Sequence, residues 1–224
     1  MSNCIEICNL GKEIEEISIL SNISVKLEAG KIYGFIGKNG SGKTMLFRLI
    51  AGLIKPSSGE LRYNDTPISF GERLPLRIGL MIENAGLYPD LSGFDNLKFL
   101  ASIQGMTSSI QIEETIAKVG LNPKDKRKIK KYSLGMRQRL TFAQAILEEP
   151  DVLLLDEPTN ALDADGVALI RNLIMEEKER GAIICIASHN AEDIEVLCDK
   201  TFKIIEGKLY DPKGMEVECE KETI

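Results

Sequence analysis

Histidine is all but missing from this chain: His189 is the only one in 224 residues. A lone histidine is usually structural or incidental, so any task for it has to be argued from its surroundings. Nowhere do about 18 apolar residues run together, the length a spanning helix needs, so the expectation is a chain that cannot cross a membrane alone. The opening residues, MSNCIEICNLGKEIEE, lack a basic stretch followed by an apolar run, and we therefore expect no export signal and a cytoplasmic location. An excess of positive charge is absent too. With 28 Lys and Arg against 34 Asp and Glu the formal net charge is −6, which disfavours nucleic acid as a partner and makes any phosphate site local. Zinc-like pairing is missing among Cys4, Cys8, Cys185, Cys198 and Cys219, which sit mostly in apolar patterns and read as reduced packing residues. There is no internal repeat and no low-complexity segment.

What is present suits one folded unit. Apolar residues make up 43% and charged residues 28%, far from the signature of disorder, and 224 residues fit one α/β core with an inserted subdomain. CIEICNL, ISVKLEA and KIYGFIG are apolar runs of strand length. Helix-like spacing extends from Lys43 to Leu53, and strands are expected at GELRYN and RIGLMIE. Leucines and isoleucines at three- and four-residue spacings predict a helical stretch from roughly Gly93 to Gly120. In NPKDKRKIKK six of ten residues are Lys or Arg, which reads as a solvated face ahead of a patch for a partner or phosphate. Another helix begins near Gly135. DVLLLDEP, a helix from about Asp165 to Arg180, AIICIAS, and a last strand pair near TFKIIEGKLY complete an alternation that implies parallel pairing.

The segment GKNGSGKT, made of Gly37, Lys38, Asn39, Gly40, Ser41, Gly42, Lys43 and Thr44, fits G-x-x-x-x-G-K-[ST]. It comes after an apolar strand and opens a helix, as the motif requires. Its glycines let the backbone curl so that successive N–H groups face phosphate oxygens, and the helix end adds partial positive charge. Lys43 can reach the β- and γ-phosphates, and the Thr44 hydroxyl can bind Mg²⁺. A chance match in a chain this long is on the order of one in a hundred. In DVLLLDEP four apolar residues deliver Asp156 and Glu157 to a strand's carboxyl end, where ligands sit in open α/β sheets. Asp156 suits Mg²⁺, through water, and Glu157, facing the other way, can polarise a water attacking the γ-phosphate. Ser188 and His189 leave AIICIA at the same edge. From there the imidazole can donate to the γ-phosphate while its other side meets Glu157 or a loop of a facing subunit.

Three more segments fall in an order that resembles the ATP-binding cassette (ABC) ATPases along essentially the whole chain. YSLGM, Tyr132 to Met136, stands in the place of that family's LSGGQ signature; NALD, Asn160 to Asp163, matches its D-loop; His189 stands where its switch histidine does. The resemblance implies an α/β P-loop NTPase in one domain over residues 1–224. It implies a mixed or parallel sheet core, an N-terminal antiparallel β subdomain and a helical subdomain inserted at about 84–147. It also implies that Ser133 and Gly135 meet the γ-phosphate bound to an opposing subunit, so that two chains, as a homodimer or with a close relative, sandwich two ATP molecules. Two positions depart from the pattern. Ile14 stands where an aromatic usually stacks on adenine, and it offers apolar contact without a ring. Glu83 stands where a Q-loop glutamine reaches Mg²⁺, a replacement similar to that in bacitracin- and lantibiotic-exporting branches.

The reading is thus an ATPase, peripheral at the inner face of the membrane, that drives a separate permease exporting a peptide antibiotic or similar amphiphile. A cytoplasmic helix of the permease would meet the surface from Glu83 to Leu97. The alternative is a soluble ABC ATPase that uses ATP-driven clamping in a cytosolic assembly process. A small-molecule P-loop kinase would leave YSLGM and His189 as coincidences, and Glu157 argues against a silent binding module. A single cassette speaks against translation factors, and the lack of a long heptad insertion against chromosome-maintenance relatives.

Overall fold

The computed structural model describes residues 3–72, 74–82, 86–104 and 107–217. The chain opens as a long antiparallel hairpin of β1 (Cys4–Ile14) and β2 (Ile17–Glu28). Glu15 and Glu16 turn it, both at positive φ, the twist that two-residue hairpin turns favour. After β3 (Ile32–Ile36) and α1 (Lys43–Ile50), the strands β4 (Ser58–Tyr63) and β5 (Thr66–Pro67) join the hairpin in a four-stranded antiparallel sheet ordered β2-β1-β4-β5. The helix expected to run to Leu53 stops earlier because Gly52, at φ 70°, reverses the chain.

Next come β6 (Ile78–Met81), α2 (Gly93–Gln104), α3 (Ser109–Lys118), a 3₁₀ turn at Ile129–Lys131 and α4 (Leu134–Ile146). The helical stretch expected from Gly93 to Gly120 is made of two helices. Ser108 and Gln111 close a reciprocal capping box at the head of α3, and local capping of this kind outranks a continuous apolar spacing. The basic run is tied to its own chain: Lys128 and Lys130 pair with Asp90, Arg127 pairs with Asp125 and lies over the Tyr132 ring, and Ile129 is buried. That agrees with the solvated-face reading.

The chain then runs through β7 (Val152–Asp156), α5 (Ala164–Glu179), β8 (Ile183–Ala187), α6 (Ala191–Leu197), β9 (Lys200–Ile205) and β10 (Lys208–Tyr210). Helix α6 has no counterpart among the elements expected from sequence; Asn190 caps it, its side chain accepting from the Glu192 N–H. The second sheet is ordered β10-β9-β3-β8-β7-β6 and is parallel except for the final hairpin. Both of its faces are covered, which is why its strands read as unbroken apolar runs. Leu153, Leu155, Ile184 and Ile186 pack on the side of α2 to α5, while Val152, Leu154, Ile183 and Cys185 pack on the side of α1 and the antiparallel sheet. Burying each such leucine or isoleucine contributes about 1.5–3 kcal/mol. Burial raises the thiol pKa of Cys185 and pushes that of Cys198 up to about 12, so these are inert packing residues as expected. Cys219 lies outside the described residues.

Candidate functional site

Strand register sets the site. Phe35 on β3 is level with Ala187 on β8, and Ala187 is level with Asp156 on β7. The three central strands therefore end together, and the segments leaving them emerge at a single edge: Gly37–Thr44 from β3, Ser188 and His189 from β8, Glu157 from β7. In a parallel sheet this carboxyl edge is where ligands collect.

The loop after β3 is shaped as an anion cradle. No side chain caps α1, and its first turn carries no acid, which leaves backbone N–H groups at its head for an anion. Gly42 at φ 111° forms the bend, and Leu20 of β2 packs so closely there that an added Cβ would lie 2.6 Å from Leu20 Cδ2. Gly37 has no room either: an added Cβ would meet the Ile204 carbonyl at 2.5 Å. Lys43 is folded back over the loop, donating to the carbonyls of Gly37 at 2.8 Å and Lys38 at 3.2 Å. The Ser41 hydroxyl is buried without a partner among the described residues, an orphan that a phosphate oxygen would satisfy. Lys38, Asn39 and Gly40 form the rim of the loop. A groove of about 530 Å³ continues from Gly37 and Lys38 past Ser188 and His189, lined by Ile36, Ile194 and Cys198.

Across from the loop the Thr44 hydroxyl donates to Asp156 Oδ2 at 2.6 Å, so the two residues that the sequence assigns to a metal meet directly. Hydroxyl and carboxylate oxygens are the donors that hard Mg²⁺ prefers. Glu157 is one residue beyond the strand and has a left-handed backbone, φ 52°. Its carboxylate accepts two hydrogen bonds, from Ser188 Oγ to Oε2 at 3.1 Å and from the backbone N–H of His189 to Oε1 at 3.0 Å, and the His189 ring Nδ1 stands 2.7 Å from the same Oε1. Ser188 is fully buried, whereas the His189 side chain is 72% exposed. His189 is no core residue.

The signature-like segment stands at the head of α4. The Ser133 side chain caps the helix, accepting from the Met136 N–H at 3.1 Å. Gly135 lies against the segment after Glu157, where an added Cβ would stand 3.0 Å from the Ala161 carbonyl. Among the described residues no hydrogen bond joins Ser133 or Gly135 to the phosphate loop. Ile14 is at the hairpin tip, cross-strand from Ile17 and 43% exposed, and Leu20 of the same hairpin packs on Gly42. Glu83 lies outside the described residues. A larger hollow of about 760 Å³, lined by Leu76, Arg77, Ile78, Ile103 and Asp151, sits near the amino ends of β6 and β7, away from this chemistry.

Several contributors carry no signal in the sequence. Gln138 of α4 donates from its amide to the carbonyls of Glu157 at 2.7 Å and Pro158 at 3.3 Å. Asp193 of α6, fully buried, takes a short hydrogen bond from the Thr159 hydroxyl and pairs with Arg171, tying the segment after Glu157 to the helix after His189. Nothing in the sequence distinguishes Gln138 from a solvent-facing helical glutamine. Asp193 is equally silent, an aspartate three residues into a helix too short to show a period.

A family model described as ABC transporter matches residues 20–160. The uncharacterized ABC transporter ATP-binding protein YybJ of Bacillus subtilis (strain 168) is 47% identical over 205 residues, 92% of this chain and 94% of that protein. The bacitracin transport ATP-binding protein BcrA of Bacillus licheniformis is 39% identical over 213 residues, 94% of this chain and 70% of that one. The lantibiotic transport ATP-binding protein SrtF of Streptococcus pyogenes is 38% identical over 205 residues, 92% and 88% of the two chains. A solved ATP-binding subunit of an ABC transporter shares the fold, with a TM-score of 0.83 over 93% of this chain and 90% of that one at 23% identity. With the family model spanning well over half of the chain and a relative 47% identical along almost all of it, the chain belongs to the ABC transporter family as an ATP-binding subunit, and it is an ATPase.

Proposed function

We propose that this ATPase drives a separate membrane permease that exports a peptide antibiotic or a similar amphiphile, working from the inner face of the membrane. The observation that carries the substrate class is the 38–39% identity to two proteins named for bacitracin and lantibiotic transport. Need for a partner is supported by the chain itself, since among the described residues no helix is long and apolar enough to cross a membrane. An apolar patch supports docking on the stretch from Glu83 to Leu97 and just beyond it: Tyr88 and Phe99 pack edge to face at 5.0 Å and remain 45% and 47% exposed, with Ile103 at 73%. Such a patch on a surface otherwise rich in charge fits a protein contact.

At the sheet edge, Lys43 and the N–H groups of Gly37–Thr44 bind the phosphates, helped by Ser41. Thr44, Asp156 and Glu83 would hold Mg²⁺, which would supply positive charge against the phosphate oxygens. Glu157 polarises a water whose oxygen attacks the γ-phosphorus, the bond to the bridging oxygen of ADP breaks, and the proton passes to Glu157. His189, with Nδ1 against Glu157, turns Nε2 toward the γ-phosphate. Ile14 gives the base apolar contact. Ser133 and Gly135 make no hydrogen bond to the subunit's own phosphate loop among the described residues, in keeping with their serving the nucleotide of a facing subunit in a dimer.

Two experiments test this. Purification from membranes should bring down a multispan protein with the chain, and a chain recovered alone from the soluble fraction with full ATPase function would favour the cytosolic clamp. Glu157→Gln should abolish turnover while ATP and Mg²⁺ drive the chain to a dimer on gel filtration. A variant that hydrolyses at the wild-type rate removes Glu157 from the chemistry.

A further inference from the structure

Glu157 carries its carboxylate on a backbone that a residue with a Cβ adopts reluctantly. The left-handed region is unfavourable for such residues and persists only where the surroundings over-determine it. Three contacts hold it here. Its N–H donates to the Ala187 carbonyl at 2.8 Å, while its own carbonyl accepts from the Asn160 N–H at 3.2 Å and from Gln138 Nε2 at 2.7 Å. Only the last comes from a side chain, and it is the shorter of the two bonds on that carbonyl. The same amide reaches the Pro158 carbonyl, so Gln138 grips two successive peptide units just past the strand.

Released from Gln138, the Glu157 peptide could relax toward ordinary φ values. The bonds to Ser188 and His189 would then have to move with it or break, because a change in backbone dihedral redirects the whole side chain. Where a reacting group must be held near one geometry, a displacement of about 1 Å can cost roughly a hundredfold in rate. We propose that Gln138 is a positioning residue for hydrolysis: it holds the Glu157 backbone in the left-handed conformation and so aims the carboxylate. Because Gln138 belongs to α4, the helix headed by Ser133 and Gly135, the aim of Glu157 is set by the attitude of that helix. Gly135 lying against Ala161 gives the same helix a second hold on this segment. The inference rests on Glu157 acting as the water-polarising carboxylate.

Three substitutions separate the amide donor from simple packing. Gln138→Glu keeps shape but replaces the donor with a charge facing two carbonyl oxygens; Gln138→Ala removes both; Gln138→Lys restores an N–H donor. Steady-state ATPase kinetics, melting temperature and Glu157→Gln as a control are measured together. The expected result is kcat lowered at least tenfold in Gln138→Glu and Gln138→Ala, KM for ATP within twofold of wild type, little change in melting, and substantial recovery in Gln138→Lys. Wild-type kcat in Gln138→Glu overturns the proposal. So does equal loss in all three variants accompanied by lowered melting, which would make the role one of packing. If Glu157→Gln itself turns over normally, the assignment of Glu157 fails first; if that control is dead while Gln138→Glu is fully active, only the positioning role of Gln138 falls.

Discussion

Replacing His189 with alanine deletes the ring Nδ1 that stands 2.7 Å from Glu157 Oε1, and leaves the hydrogen bonds from Ser188 Oγ and the backbone N–H of residue 189 in place. A polar contact with a charged group is worth at most about 1.5–3 kcal/mol, and since the ring is 72% exposed, water recovers part of it, which argues for the low end. If that contact acts only when water attacks, the expected loss is about 1.4 kcal/mol or more in transition-state stabilisation, at least tenfold in hydrolysis. The fold should not notice, because substitutions at exposed positions away from special features change stability by no more than about 0.5 kcal/mol. Nδ1 is the ring nitrogen against Glu157, which leaves Nε2 as the one available to a phosphate oxygen. His189→Gln, with one amide group in place of two ring nitrogens, should therefore recover little. Steady-state ATPase measured beside a thermal melt and a nucleotide titration decides the matter. Normal turnover in the alanine variant, or a fall in melting temperature large enough to explain lost activity, would refute the reasoning.

Thr44→Val keeps volume but removes the hydroxyl that meets Asp156, and at about 1.5–3 kcal/mol for a charge-assisted bond it should lower ATPase activity tenfold or more. ATP titrations with and without Mg²⁺ should show the metal's contribution to affinity lost, and an unchanged Mg²⁺ dependence would remove Thr44 from the metal site. For Asp199, burial works against ionisation but is outweighed by the Lys178 ammonium at 2.6 Å and the Ile32 N–H at 2.8 Å, which together hold its carboxyl below the usual range. A depressed carboxyl stabilises the fold above its unfolded pKa of about 3.9 and loses that contribution as pH falls through the folded value. Asp199→Asn should therefore melt lower than wild type near neutrality, with the gap closing below about pH 4. A gap that persists in strong acid would contradict the assignment.

Parts of this protein that depend on neighbours in the chain are legible without coordinates. Gly37–Thr44 is readable because cradling an anion is a local act of backbone: glycines for the bend, a lysine, and a helix that begins at once. The same holds for β7 and β8, whose burial on both faces forces unbroken apolar runs, and for the carboxylates placed directly after β7. Apolar spacing marks the helical stretch from Gly93 to Gly120, and the local capping box of Ser108 and Gln111 sets where its second helix begins. The cap of α6 is a plain local signal too, but seven residues are too few to show a period beside it.

What tertiary structure decided is how those pieces face one another. That Asp156 meets Thr44, and that Glu157 takes donors from both Ser188 and His189, results from the β3-β8-β7 order and its register, which depend on pairings between residues far apart in the chain. Gln138 exists as a partner of Glu157 only because α4 packs beside the end of β7. Helical spacing says which residues share a face of α4; it says nothing about which peptide on another element that face will meet. His189 shows both sides of the division. Its place at a strand end is a property of the sequence, and its contact with Glu157 is a property of the sheet, since only lateral packing of β7 on β8 brings a carboxylate and an imidazole to 2.7 Å.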